Sequence, residues 1–178
     1  MKSRLLLVSA VCLSLVGFVA VASASPAVRT LPTAGVLSPG ISLGGLQIGY
    51  TKDQVMKHWG HGYRICPKNV CKGTDTVWYY VYGGSEPLGA AVRFNSAGRV
   101  NAVFTLGSPA GWRTSQGLLI GQGVSDAQRL YGSNLTWSVC IGYGAMSMRT
   151  GKAITSIYTS GESIYGFAIT SPGTPVCQ

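Results

Sequence analysis

A helix-start signal that occurs twice constrains this chain more than any other feature. At Gly49-Tyr50-Thr51-Lys52-Asp53-Gln54-Val55 a glycine turn leads to Thr51. The Thr51 hydroxyl can accept from an orphan N–H of a first helical turn, and Gln54 can reach back to the Thr51 amide, which makes a capping box. Gly123-Val124-Ser125-Asp126-Ala127-Gln128 repeats the signal, with Ser125 as the cap and Gln128 in the place of Gln54, an offset of 74 positions from Thr51 to Ser125. Val55, Met56 and Trp59 fall on one face of the first helix, which Gly60 and Gly62 end; Ala127, Leu130 and Tyr131 do the same in the second, which Gly132 ends.

Strand signals follow each helix. Val77-Trp78-Tyr79-Tyr80-Val81-Tyr82 is wholly β-branched or aromatic, and Ala90–Phe94 and Arg99–Leu106 follow it across turn residues. After the second helix come Thr136–Ile141, Met146–Arg149, Lys152–Thr159 and Ser163–Thr170. Gly98-Arg99 with Val103-Phe104-Thr105 is echoed by Gly151-Lys152 with Ile157-Tyr158-Thr159. With 25 glycines and only 11% charged residues, the composition suits short strands and tight turns better than long helices. The expected fold class is α+β: two tandem helix-then-strands units, residues 41–110 and 111–178, joined in one antiparallel sheet with the helices on one face.

Residues 1–24 read as a signal peptide: Lys2 and Arg4, an apolar run from Leu5 to Ala22, and small residues at Ala22-Ser23-Ala24 before Ser25. Cys12 lies inside the apolar run behind the bulky Val11, which argues against lipid attachment there. No membrane span is expected once this segment is cleaved. Residues 25–40, with Pro26, Pro32, Pro39, Gly35 and Gly40, read as a flexible leader. Removing Lys2 and Arg4 leaves twelve basic residues against five acids, a net charge of +7.

Chemistry-bearing residues are sparse. The acids Asp53, Asp75, Glu86, Asp126 and Glu162 are scattered, and no nucleophile elbow, phosphate-binding glycine loop or zinc motif is present. His58 and His61 flank Trp59 without further ligands at metal spacing, so they read as surface residues beside a core tryptophan. The expectation is a non-enzyme with no cofactor and no metal; a hydrolase site assembled only in three dimensions stays the least favoured reading. Lys52, Lys57, Arg64, Lys68 and Lys72 form a basic segment, which offers the alternative of binding an envelope polymer, another anionic polymer or a small molecule. Nucleic acid is not an expected partner, because no recognition motif accompanies these charges. Asn134-Leu135-Thr136 matches a glycosylation acceptor that matters only in a eukaryotic secretory pathway.

The aromatic strand offers two faces, Trp78, Tyr80 and Tyr82 on one and Tyr79 and Val81 on the other. One must pack under the helices, while the other is exposed unless something covers it; Arg93 and Asn101 interrupt neighbouring apolar runs and are expected on the solvent face. Exposed Tyr and Trp would suit a protein partner. Four cysteines outside the signal peptide should form two disulfides. The short Pro67-containing loop favours Cys66 with Cys71, which leaves Cys140 to tie down the tail through Cys177.

Gly49-Tyr50-Thr51-Lys52-Asp53-Gln54-Val55 resembles the Gly-Met-Thr-x-x-Gln-Val helix start of the β-lactamase inhibitor protein family. Cys71-Lys72-Gly73 followed by Tyr79-Tyr80-Val81-Tyr82 is similar to that family's Cys-Arg-Gly and Tyr-Tyr-x-Tyr at the same spacing. The likeness covers roughly residues 41–170, and the helix start alone is shared with small outer-membrane assembly lipoproteins. It implies one curved antiparallel sheet whose concave face and hairpin turns grip a partner protein, a serine β-lactamase or another secreted enzyme. Asp75, Trp78, Tyr79, Tyr80, Tyr82, Glu86 and Arg93 are then the candidate contacts. Inhibitory relatives place an acid immediately before the Tyr-Tyr pair; this chain has Trp78 there, with Asp75 and Glu86 as its nearest acids.

Overall fold

Thr51 sets the first helix in place as its sequence demands. In the computed structural model, which describes residues 32, 34–71, 73–81, 89–107 and 111–178, Thr51 is extended and its hydroxyl accepts from the Gln54 amide at 3.2 Å. The Gln54 side chain accepts from the Thr51 N–H at 2.8 Å, closing the box. Helix α1 (Lys52–Trp59) carries Asp53 in its first turn and Lys57 and His58 in its last, in keeping with the helix dipole, and buries Val55 and Trp59.

The second helix starts two residues earlier than its capping chemistry suggests. Helix α2 spans Val124–Tyr131, and its N-cap is Gly123, which has no side chain to offer. Ser125 therefore lies inside the first turn, exposed, and Gln128 makes no capping contact; Asp126 accepts from the Gly123 N–H at 3.2 Å instead. Arg129 pairs with that carboxylate and holds Asp126 below the usual carboxylate range. The cause of the shift is tertiary. Gly121, Gln122 and Val124 exchange backbone hydrogen bonds with Glu162 and Ile164, which decides where the chain turns. Gly49 and Tyr50 bond to Val100 in the same way ahead of α1. The two helix starts thus correspond at Thr51/Gly123 and their ends at Gly60/Gly132, an offset of 72. Thr51→Ala should cost roughly 0.5–2 kcal/mol in a urea melt, the usual penalty for a lost N-cap, whereas Ser125→Ala should stay within about 0.5 kcal/mol of wild type.

The strands are β1 (Ala34–Ser38), β2 (Ser42–Leu43), β3 (Arg64–Ile65), β4 (Thr76–Val81), β5 (Gly89–Phe94), β6 (Val100–Leu106), β7 (Gly111–Thr114), β8 (Thr136–Cys140), β9 (Tyr143–Thr150), β10 (Ala153–Ser160) and β11 (Ser163–Thr170). Eight of them form one antiparallel sheet in the order β3-β4-β5-β6-β11-β10-β9-β8. A small mixed sheet, β2-β1-β7, pairs β1 parallel to β7. The leader expected over 25–40 is therefore corrected from Ala34 onward. Its backbone is ordered by β7, a non-local partner, and its Leu37 is fully buried. The signal-peptide segment 1–24 lies outside the described residues.

Register assigns every central residue to one of two cores. The row Trp78–Val92–Val103–Ile169 faces the helices and joins Val55, Trp59, Val124, Ala127 and the small sheet's Leu37, Leu43 and Trp112. The row Tyr79–Ala91–Phe104–Ala168 faces the other way, into a second buried cluster with Tyr158, Ala145 and both disulfides. Both faces of the central strands are dry, as their nearly unbroken apolar runs require. None of the helices among the described residues is long and apolar enough to cross a membrane.

Candidate functional site

The aromatic strand β4 is spent on the fold. Trp78 stacks on Tyr63 with ring centroids 3.8 Å apart and meets the edge of Phe94 at 4.6 Å. Tyr80 meets Trp59 edge-on at 5.2 Å and donates to the Gly60 carbonyl at 3.2 Å. Burial, with the Tyr63 phenol beside it, pushes the Tyr80 hydroxyl well above its ordinary pKa, so it remains a donor. Tyr79 points to the opposite face, where the Cys66–Cys71 disulfide covers it: its hydroxyl lies 2.8 Å from the Cys66 sulfur and 2.7 Å from that of Cys71. The expectation that Trp78, Tyr79 or Tyr80 meets a partner is corrected accordingly, since all three are buried. Tyr82 and Glu86 lie outside the described residues.

Asp75 and Arg93 do not meet a solvent-facing sheet either. Asp75 is half-buried and accepts from the Asn101 side-chain amide at 2.8 Å. Asn101 is almost wholly buried at the bulge where the β5–β6 register shifts. Arg93 is half-buried, aligned by register with Val77 and Ala102 on the side away from the helices. Its Nε is buried without a hydrogen-bond partner, and its charge opposes the burial that raises the Tyr143 and Tyr158 hydroxyls. Those hydroxyls donate to the backbone of the tail, Tyr143 to Gln178 at 2.8 Å and Tyr158 to Val176 at 2.7 Å, and the Cys140–Cys177 bond holds the tail across them.

What the fold does present is the loop between β3 and β4. The Cys66 amide donates to Val77 at 2.9 Å, the Val70 and Cys71 amides both donate to Pro67 at 2.9 Å, and the disulfide closes the ring. Ile65, the last residue of β3, is 60% exposed and Val70, within the ring, 64%, beside the exposed Arg64 and Lys68. A pocket of about 370 Å³ opens at its foot, lined among others by Ile65, Lys68, Thr74 and Asp75. Lys72 lies outside the described residues, and the Lys52 ammonium is drawn over the rings of Trp78 and Phe94 at 5.9 and 5.7 Å. His58 stacks on Tyr50 at 5.7 Å, and no group of three or more His, Cys, Asp or Glu among the described residues is placed to hold a metal ion.

Sequence reasoning missed Ile65 and Val70 because it followed the densest aromatic run. The signal that finds them is an apolar residue directly before each cysteine of a short disulfide loop, Ile65 on the two-residue edge strand β3 and Val70 inside the ring. A second apolar exposure lies at the far edge of the sheet, where Trp137, Val139 and Ile141 are 52%, 96% and 100% exposed. No protein-family model, no curated protein and no solved structure matches this chain.

Proposed function

We propose that this protein is a secreted, non-catalytic protein-binding module whose partner is gripped by the Cys66–Cys71 loop. The observation that carries the reading is that Ile65 at the end of β3 and Val70 in the adjoining loop stand in water where a disulfide, a sheet hydrogen bond and the Tyr79 hydroxyl already constrain the chain. Exposed apolar side chains usually mark an interaction site when they are grouped, and a loop ordered before binding loses little entropy on association. Two disulfides suit an oxidising compartment, in agreement with the signal-peptide reading. The Tyr80, Tyr143 and Tyr158 hydroxyls are taken up as donors to backbone carbonyls within the fold.

Two tandem units in the manner of the β-lactamase inhibitor protein family remain our reading of the architecture. Its support is the offset of 72 between the helix boundaries and a strand order that runs β3 to β6 and then back from β11 to β8. On that resemblance a panel of serine β-lactamases is the first target, and other secreted enzymes the next. The basic segment supports polymer binding less well, because Lys52 is engaged with aromatic rings.

The test is a pull-down from culture supernatant with the disulfide-intact protein, followed by titration of the captured partner with the Ile65→Asp/Val70→Asp chain. Binding should weaken by at least ~2 kcal/mol, the scale of an interface hot spot, while the melting midpoint holds because both positions are exposed. Unchanged affinity would remove the loop from the interface. Undiminished activity of every lactamase with the protein in excess would end the inhibitor reading and leave the binding module standing.

A further inference from the structure

Among the described residues strand β8 ends the large sheet, and its outer edge pairs with no other strand, the Cys177 sulfur lying 3.8 Å from the Val139 carbonyl. Natural sheets blunt such edges with charge, proline or a bulge. This edge has none of these. Residues 130–148 contain no charged residue and no proline, and the β8–β9 register runs without a shift from Thr136↔Ser147 to Cys140↔Tyr143. The opposite edge, β3, is only two residues long and carries Arg64. The two edges are therefore unequal, and the unprotected one is β8.

The side chains say what fits there. Leu135, Trp137, Val139 and Ile141 alternate with Thr136, Ser138 and Cys140. By register Trp137 and Val139 lie on the same side as Met146 and Gly144, with the Trp137 ring close over Gly144. The alternation is a palindrome about Ser138. An identical strand laid antiparallel on it, centred at Ser138, puts Trp137 opposite Val139 and Leu135 opposite Ile141 in both directions. Thr136 then meets Cys140, and Ser138 meets itself. Every apolar position is matched by an apolar one, and aromatic against β-branched is a favourable cross-strand pair. The self-match at Ser138 is what a two-fold axis requires. A net positive chain would ordinarily repel its own copy, but the strip itself contributes no charge to that repulsion.

We infer that β8 pairs antiparallel with β8 of a second copy of this chain, making a two-fold dimer with one continuous sheet. The Cys66–Cys71 loops then sit at the two outer ends, clear of the contact, so this inference does not rest on the binding reading above. Trp59, Trp78 and Trp112 are buried and Trp137 is half exposed, so tryptophan emission reports on this strand.

Sedimentation of the disulfide-intact protein over a wide concentration range should show a monomer–dimer equilibrium, with tryptophan emission shifting to the blue as the dimer forms. Val139→Asp should weaken the dimer at least about tenfold without changing the far-ultraviolet dichroism, because its side chain faces solvent. Ser138→Cys should join two chains under mild oxidation, with the two position-138 peptides linked in a non-reducing map. A single-chain mass at every concentration would overturn the inference. So would a dimer indifferent to Val139→Asp, an open-ended series of larger species, or a dimer abolished by Ile65→Asp.

Discussion

Trp112→Ala should destabilise the protein by ~3–5 kcal/mol, the range for deleting a large buried aromatic. Trp112 is fully buried at the join between the small sheet and the helices, its ring 5.9 Å from that of Trp59. The ring occupies space left by two glycines. A Cβ at Gly35 would come within 2.3 Å of it and one at Gly44 within 2.8 Å, so the ring packs directly on backbone that has no side chain to relax into the hole. Gly44 also holds a positive φ of 57°, which resists any substitution. Trp112→Phe should cost well under half as much, because the indole Nε1 is buried without an acceptor and loses no hydrogen bond. Urea melts of the two variants decide the matter. A similar loss in both would mean that the part of the indole that phenylalanine lacks carries the packing energy.

The Cys140→Ser/Cys177→Ser chain should lose ~4 kcal/mol, and the Cys66→Ser/Cys71→Ser chain only ~2, if closure of the unfolded loop contributes most of the stabilisation. The first pair lies 37 residues apart and the second 5, and the entropy removed from the unfolded chain grows with that separation. The native state pulls in the same direction. Freeing the tail exposes the Tyr143 and Tyr158 contacts to Gln178 and Val176, and Tyr158 is wholly buried beneath it. Denaturation of both double variants, with the reduced wild type as a third point, measures the order. A larger loss at Cys66–Cys71 would place the main contribution in the cover over Tyr79 and not in loop closure.

The helix faces were readable because their causes are local. Val55 and Trp59 are four residues apart, Thr51 and Gln54 three, and Gly60 stops the turn; none of this needs a distant partner. Seven strands, β4–β6 and β8–β11, were legible for the same reason, all but the start of β9 to within a residue at their ends, whereas the short β1, β2, β3 and β7 were not read as strands. Both disulfides followed from spacing, since one short loop left a single remaining pair. The aromatic strand shows where local reasoning stops. Period-two alternation separates Tyr79 from Trp78 and Tyr80, but exposure depends on what lies above each face, and that cover comes from a loop a dozen residues upstream and, elsewhere on the same face, from the tail.

Sequence by itself determined the two helices, the antiparallel hairpins of the large sheet and the Cys66–Cys71 pair, because each depends on interactions between near neighbours in the chain; Cys140–Cys177 followed only as the pair that remained. Tertiary structure alone decided where α2 begins, since its cap is set by backbone pairing with Glu162 and Ile164 and overrides the preference of Ser125. It alone made a strand of Ala34–Ser38, whose partner β7 is more than 70 positions away. It also moved the candidate contacts from the buried Trp78, Tyr79 and Tyr80 to Ile65 and Val70, because burial is a property of the assembled faces and not of any one strand.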